Sequence, residues 1–179
     1  MHYKNKTEKK TRTRQFRIKY VTFFKYGKEG KLQPLASDAM DEETFSADAV
    51  TLRISNQKNG HAGACIHHTA IVDNKAACPV KALSRQCTHI RQNTKNRNAS
   101  ICTYFDEVGM GSVIDNQIQF EVKFAAKALH YDKRGISIDR IDTHSLRSGG
   151  ACALKLAGYD AVEIKKMGHW KPKSNTFLE

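Results

Sequence analysis

The segment from Asp142 to Gly168 constrains the fold of this chain most. It begins with Asp142 and Thr143, either of which can cap a helix, and continues with apolar residues at helical spacing. It then reaches Gly158, a residue typical of the position after a helix. Asp160 then begins a second, shorter helix that ends at Gly168. The sequence therefore predicts two consecutive helices joined by a tight glycine turn.

Two side chains of the first predicted helix are suited to hold a phosphate. His144 and Arg147 are three residues apart, so they share one helix face, and His144 falls in the first turn, where free N–H groups and the helix dipole favour an anion. Arg supplies a fixed charge with a planar fork of donors, and His supplies a titratable proton. The small residues Ser148, Gly149 and Gly150 indicate close approach of another backbone or a ligand. An ordinary polar pair on a helix is the alternative interpretation.

The other elements follow from turn signals and from the spacing of apolar residues. Asn59-Gly60 is a strong hairpin signal, because both residues accept positive φ. Pro79 begins a predicted helix that extends to about residue 95, and Asp115 caps another. The segment between residues 26 and 49 is predicted to be a long loop. The predicted strands occupy three segments, residues 16–24, 49–55 and 64–71.

The charge of the chain is large and uneven. The 179 residues carry a formal net charge of +12. Residues 1–31 hold 11 Lys or Arg and 2 acidic residues, whereas residues 32–48 hold 5 acidic residues and no base. A basic balance of this size favours nucleic acid as a partner, and a solvated basic surface is the alternative. We expect a basic arm over residues 1–14, with the pattern of a nuclear localisation signal, and one domain over residues 15–179.

The cysteines and apolar residues exclude several classes of protein. Five cysteines, an odd number, do not form a disulfide framework and suit a reducing, intracellular compartment. No apolar run approaches the roughly 20 residues that cross a membrane. The groups Cys65-x-His67-His68 and Cys87-x-His89 match no common structural zinc site. We therefore expect no membrane partner, no metal and no small-molecule cofactor.

Several motifs together carry a family resemblance. They are His144-x-x-Arg147, Leu156-Ala-Gly158, Met167-Gly-His-Trp170, Cys78-Pro-Val-Lys-Ala82 and Ser174-Asn-Thr-Phe-Leu-Glu179. In these motifs the chain resembles the catalytic domain of tyrosine recombinases, the phage-integrase-like enzymes that cut and rejoin DNA. The sequences of these motifs are most similar to those of recombinases from DIRS-type and Crypton mobile elements. The resemblance implies an incomplete α+β domain, mainly helical, with a small antiparallel sheet of about three strands.

The resemblance also implies a role for each candidate residue on duplex DNA. Arg147 would bind the non-bridging phosphate oxygens, and His144 would act beside it as an acid, a base or a hydrogen-bond donor. His169, with Trp170 as the other candidate for that position, would contact a non-bridging oxygen or pack behind the nucleophile. Lys58, at the hairpin tip, would protonate the departing 5′ oxygen. The implied reaction is strand breakage and rejoining through a 3′-phosphotyrosine, in which fixed cations stabilise the transition state.

Two members of the family's catalytic set are missing from the sequence. The nucleophilic tyrosine is expected just after Glu179, whereas Tyr131 and Tyr159 both precede His169. The first catalytic arginine is expected on a helix ahead of residues 16–24, and no such helix is predicted. We therefore expect a fragment that is truncated at both ends and inactive alone, and that would form a homo-oligomer on DNA if complete. The alternative is a non-catalytic DNA-binding or scaffold protein that reuses the fold.

Overall fold

The computed structural model of the chain describes residues 16–55, 63–168 and 170. The chain divides into two compact units, Met1–Ser112 and Val113–Glu179, which we call unit 1 and unit 2. None of the described helices is long and apolar enough to cross a membrane. The prediction of one domain over residues 15–179 stays a prediction.

In its described residues, unit 1 combines a small antiparallel sheet with two helices and a separate hairpin. The sheet has the order β2-β1-β3-β4, and its strands are β1 (Val21–Tyr26), β2 (Leu32–Pro34), β3 (Ala49–Arg53) and β4 (Cys65–Thr69). The helices are α1 (Asp41–Phe45) and α2 (Pro79–Asn93), and the hairpin pairs β5 (Thr103–Asp106) with β6 (Gly109–Ser112). The predicted mixture of helices with a small antiparallel sheet is therefore confirmed, whereas the recombinase fold itself stays a prediction.

The predicted pairing of the strands on either side of Asn59-Gly60 is confirmed. Val50 of β3 lies opposite His68 of the antiparallel β4. The ladder continues past the end of β3, because the Ile54 N–H donates to the Ala64 carbonyl at 2.7 Å. The turn itself, with Asn59-Gly60, lies outside the described residues.

The predicted strand over residues 16–24 is wrong at its beginning. Residues Ile18–Tyr20 form a 3-10 turn, and β1 begins only at Val21. The Ile18 N–H donates to the Ala99 carbonyl at 3.1 Å, and the Tyr20 N–H donates to the Arg17 carbonyl at 2.9 Å. These bonds turn the backbone, so a β-rich composition does not extend the ladder here.

The predicted long loop between residues 26 and 49 contains two regular elements. Gly30 has φ +71°, which suits the turn that brings β2 back along β1, so the main sheet has one strand more than expected. The acidic residues then form the first turn of α1, where the helix dipole favours negative charge. The Glu43 carboxylate also accepts the Met40 N–H at 2.9 Å and so covers the beginning of the helix.

The core of unit 1 lies between the sheet and α2. Pro79 is the first residue of α2, as predicted, and the helix buries one face that includes Val80 and Ile90. A buried hydrophobic cluster joins Val80 of α2 with Phe23 from β1 and Val50 from β3. The remaining buried members of the α2 face are Ser84 and Cys87.

Polar contacts complete the packing of unit 1. The buried hydroxyls of Thr44 in α1 and Ser84 in α2 are 2.9 Å apart and share a hydrogen bond. The Gln86 side-chain amide donates to the Thr103 carbonyl at 2.7 Å and so joins α2 to the hairpin. These bonds satisfy polar groups that would otherwise be costly to bury.

The part of unit 2 that the structure describes contains three helices, as the sequence predicts. They are α3 (Asp115–Ala128), α4 (Thr143–Leu156) and α5 (Ala161–Met167), with short 3-10 turns at Asp132–Arg134 and Ile138–Arg140. Asp115 was expected to be the N-cap of α3, and this prediction is wrong. Asp115 is the first helical residue, and the N-cap is Ile114, whose N–H donates to the Gln117 side-chain carbonyl at 2.9 Å.

Few side chains of unit 2 are buried. Among its described residues only Ala126, Ala151 and Ile164 are buried. Phe120 and Phe124 of α3 stack on each other with ring centroids 6.5 Å apart, and both are more than half exposed. The helices that carry the candidate residues therefore rest on a thin core.

Candidate phosphate-binding site

The beginning of α4 is fixed by Asp142. Its carboxylate accepts the Ser145 N–H at 2.9 Å, and its own N–H donates to the Ser145 hydroxyl at 3.1 Å. The backbone hydrogen bond from Ser145 is the largest of the effects that lower the pKa of Asp142, and the nearby His144 lowers it further. Of the two predicted N-cap candidates, Asp142 is therefore the N-cap and Thr143 is the first helical residue, which places His144 in the first turn of the helix.

Because of this cap, the start of α4 offers fewer free N–H groups to an anion than the sequence predicts. The Ser145 N–H is already occupied by the Asp142 carboxylate, which also places a negative charge at this end of α4. An external phosphate would therefore be held by side chains rather than by the backbone. The two side chains in position are His144 and Arg147, which are one turn apart and both exposed.

Gly158 and Asp160 set the turn between α4 and α5. Gly158 has φ +92°, a conformation that favours glycine, so the predicted role of this residue as a helix stop is confirmed. The Asp160 carboxylate accepts the N–H groups of Val162 and Glu163 at 2.7 and 2.8 Å. Ile164 is fully buried and anchors α5, which brings the end of this short helix to α4.

Arg147 joins α4 to the end of α5. One terminal nitrogen of its guanidinium donates to the carbonyl oxygen of Gly168. The guanidinium carbon also lies 4.5 Å from the centroid of the Trp170 ring, which is a cation–π contact. The chain at Trp170 is held in turn by its own N–H, which donates to the Lys165 carbonyl at 3.0 Å. The sequence-predicted Arg147 and Trp170 are therefore brought together.

The Trp170 side chain folds back over Gly168, so this position has no room for a larger residue. A Cβ atom at this position would overlap the Trp170 ring, whereas the backbone of Gly168, with φ −80° and ψ 0°, is open to any residue. The requirement for glycine here is thus steric. The sequence could not reveal that the Gly168 carbonyl accepts a bond from Arg147, since no side chain signals a backbone acceptor.

The small residues after Arg147 leave the helix surface open. A Cβ atom added at Gly149 or Gly150 would meet no described group within 4 Å. The interpretation that another backbone packs here therefore finds no partner in the part of the chain that the structure describes. Close approach of a ligand beside Arg147 is the interpretation that this open surface favours.

His169 and Lys58 fall outside the described residues, so their predicted positions stay predictions. The ring nitrogen Nδ1 of His67 and the Thr51 hydroxyl are 2.7 Å apart and share a hydrogen bond between β4 and β3. Burial raises the pKa of the Cys87 thiol to about 11. Over residues 16–55, 63–168 and 170, no group of three or more His, Cys, Asp or Glu could hold a metal ion.

No family model, no curated protein and no solved structure matches this chain. The assignment of a function therefore depends on the chemistry of the residues themselves and on the motifs that they form.

Proposed function

We propose that this chain binds DNA and that His144 and Arg147 hold a phosphodiester group of the backbone, as part of the strand breakage and rejoining that tyrosine recombinases perform. The observation that carries the proposal is that two contacts within the chain hold the Arg147 side chain in place. Its guanidinium is exposed on α4, yet its orientation is fixed by Trp170 and by the Gly168 carbonyl. A cation that is held in place at the surface binds an anion with a smaller loss of side-chain entropy.

The chemistry of Arg147 leaves enough donors for a phosphate. Guanidinium carries five N–H groups, and the bond to Gly168 uses one nitrogen, so the other donors remain for non-bridging oxygens. The Trp170 ring contacts one side of the group, and the Arg147 side chain is otherwise exposed, so a ligand can reach it. His144, one turn earlier, supplies a donor or a proton acceptor beside the same phosphate.

The full reaction needs more groups than these two. By resemblance, His169 would bind a further oxygen, Lys58 would protonate the leaving group, and a tyrosine that follows His169 would be the nucleophile. Within residues 1–179, no tyrosine follows His169. The proposal for these residues is therefore phosphodiester binding without strand cleavage. A nuclear location and assembly of several copies on DNA belong to the same proposal.

The test is the affinity for a short DNA duplex of wild type and of Arg147→Ala, measured by fluorescence anisotropy at several salt concentrations. We expect Arg147→Ala to weaken binding about tenfold, equivalent to about 1.4 kcal/mol, because a supported charge-assisted contact is lost. Arg147→Lys should recover little, since lysine lacks the planar fork and the stack. The matched control is Arg140→Ala, which removes an exposed cation from the same unit. Equal losses for Arg140→Ala and Arg147→Ala would contradict the proposal.

A second candidate is a non-catalytic DNA-binding or scaffold protein. The observation in its favour is that Arg147 already has partners within the chain, which fits a structural link between α4 and α5. The double variant His144→Ala/Arg147→Ala separates the two functions. If His144 and Arg147 form a phosphate clamp, this variant loses affinity for DNA. If the protein binds DNA through another basic surface, the variant keeps that affinity.

A further inference from the structure

A groove with a volume of about 620 Å³ opens on the surface of unit 1. It lies between the 3-10 turn Ile18–Tyr20, the segment that leads into α1, and the end of α2 with the loop that follows it. This volume falls within the range of about 300 to 1,000 Å³ that is typical of small-molecule sites. The groove is formed by residues that the phosphodiester proposal does not use.

One wall of the groove carries cations without acidic partners. Lys19, Lys95 and Arg97 line it, and all three are exposed. In the described residues, ion pairs occur only between Lys31 and Glu29 and between Arg91 and Asp41. These three cations of the wall are therefore available to an anion.

The backbone that carries these cations is held in place. The Asn96 N–H donates to the Thr94 hydroxyl at 3.1 Å, and the Asn98 N–H donates to the Asn96 side-chain carbonyl at 2.9 Å. The Ile18 N–H donates to the Ala99 carbonyl, which ties this loop to the turn that carries Lys19. The backbone of the cationic wall therefore needs little reordering on binding.

The opposite wall carries carboxylates. Asp41 is engaged by the Thr88 hydroxyl at 2.8 Å and by Arg91 at 4.0 Å, whereas Asp38 and Glu42 make no side-chain hydrogen bond or ion pair with the described residues. Arg91 also donates to the Ala39 carbonyl at 3.3 Å, so this wall is fixed to α2. The groove therefore offers cations on one side and free hydrogen-bond acceptors on the other.

The lining also includes apolar surface. It is formed by Ile18, by Ala39 and by Met40, whose side chain is exposed. Methionine adapts its shape to a flat ligand and makes favourable contacts with aromatic rings. A ligand with an anionic group, a planar ring and N–H donors complements the cations, the Met40 side chain and the carboxylates of this lining.

We propose that this groove binds a guanine nucleotide. The phosphate would lie against Lys19, Lys95 and Arg97, and the base would lie over Met40. The adjacent N1–H and exocyclic amine of guanine present two parallel donors, which match the two oxygens of the Asp38 or Glu42 carboxylate. Adenine presents no such pair of donors beside each other. This inference is independent of the phosphodiester site.

The experiment is isothermal titration calorimetry of the full chain with GMP, and with AMP, guanosine and inorganic phosphate as comparisons. We expect saturable binding of GMP that is about tenfold tighter than that of AMP. Guanosine and inorganic phosphate should each bind more weakly than GMP, because each reaches only one wall. Equal affinity for GMP and inorganic phosphate, or no binding of GMP at about 5 mM, would overturn the proposal.

Two sets of variants assign binding to the groove. Lys95→Gln/Arg97→Gln should weaken GMP about tenfold, and Asp38→Asn/Glu42→Gln should abolish the preference for GMP over AMP. The matched control is Lys28→Gln/Lys31→Gln, which removes two charges from the turn between β1 and β2. A control that loses as much affinity as the groove variant would refute the site. The phosphodiester proposal is tested by the DNA affinity of Arg147→Ala and this proposal by the GMP affinity of the groove variants, so failure of either can be recognised separately.

Discussion

Unit 1 and unit 2 differ in how much apolar surface they bury. Unit 1 packs a sheet against α2 and fully buries Val50, Val80 and Ile90. Unit 2 buries three described side chains and leaves Leu156 exposed at 89% and Phe120 at 66%. Since burial of apolar surface is the main favourable term in folding, unit 1 supplies most of the stability. The candidate phosphate-binding side chains lie on the weaker unit, where local opening costs the least.

The largest expected effect separates the cores of the two units. Ile90→Ala should lower the free energy of unfolding by about 3 to 4 kcal/mol, because it leaves a cavity in a packed core. Ile164→Ala should lower the free energy of unfolding by about 2 kcal/mol, since the thin core around it relaxes more easily. It should also reduce hydrogen-exchange protection in α4 and α5 before it does so in α2. Urea unfolding and hydrogen exchange measure both effects.

The control for these variants is Val108→Ala, which alters a side chain that is 98% exposed and should change little. If Ile90→Ala and Ile164→Ala lowered the free energy of unfolding equally, and hydrogen exchange were uniform in both units, the proposed difference between the two cores would be contradicted.

A smaller effect tests the cap that positions His144. Hydrogen bonds from Ser145 lower the pKa of Asp142, so the charged carboxylate stabilises the folded chain above its ordinary pKa of about 3.9. This contribution is lost as the pH falls through the lowered pKa of the folded state. Asp142→Asn keeps an acceptor without the titration. We expect wild type to be the more stable above pH ~4 and the difference to vanish in stronger acid, as followed by thermal unfolding at each pH. A difference that is independent of pH would refute this role.

Local sequence signals predict much of unit 2. Asp142, Gly158 and Asp160 define the helix ends because caps and glycine stops act within a few residues of chain. The spacing of His144 and Arg147 likewise predicts that they share a face. The spacing does not predict the contact of Arg147 with the end of α5, because that contact depends on how the two helices pack.

The elements that the sequence misses depend on contacts between distant residues. The hairpin of β5 and β6 has glycines in its second strand, which usually weaken a strand. Gly111 is accommodated because the Tyr104 ring packs over it, and a Cβ atom there would overlap the ring. The helix α1 is short and acidic, and its place depends on the bonds of Thr44 and Asp41 to α2.

The most direct test of the central claim uses Trp170, which is the only tryptophan of the chain and stacks on Arg147. Its fluorescence, excited beyond the absorption of the bases, can be followed while a short DNA duplex is added. A phosphodiester bound at Arg147 should change this fluorescence saturably, with a midpoint that weakens as salt is added, and Arg147→Ala should abolish the change. DNA binding that leaves the Trp170 signal unaltered would contradict the account, because the phosphate would then be held elsewhere.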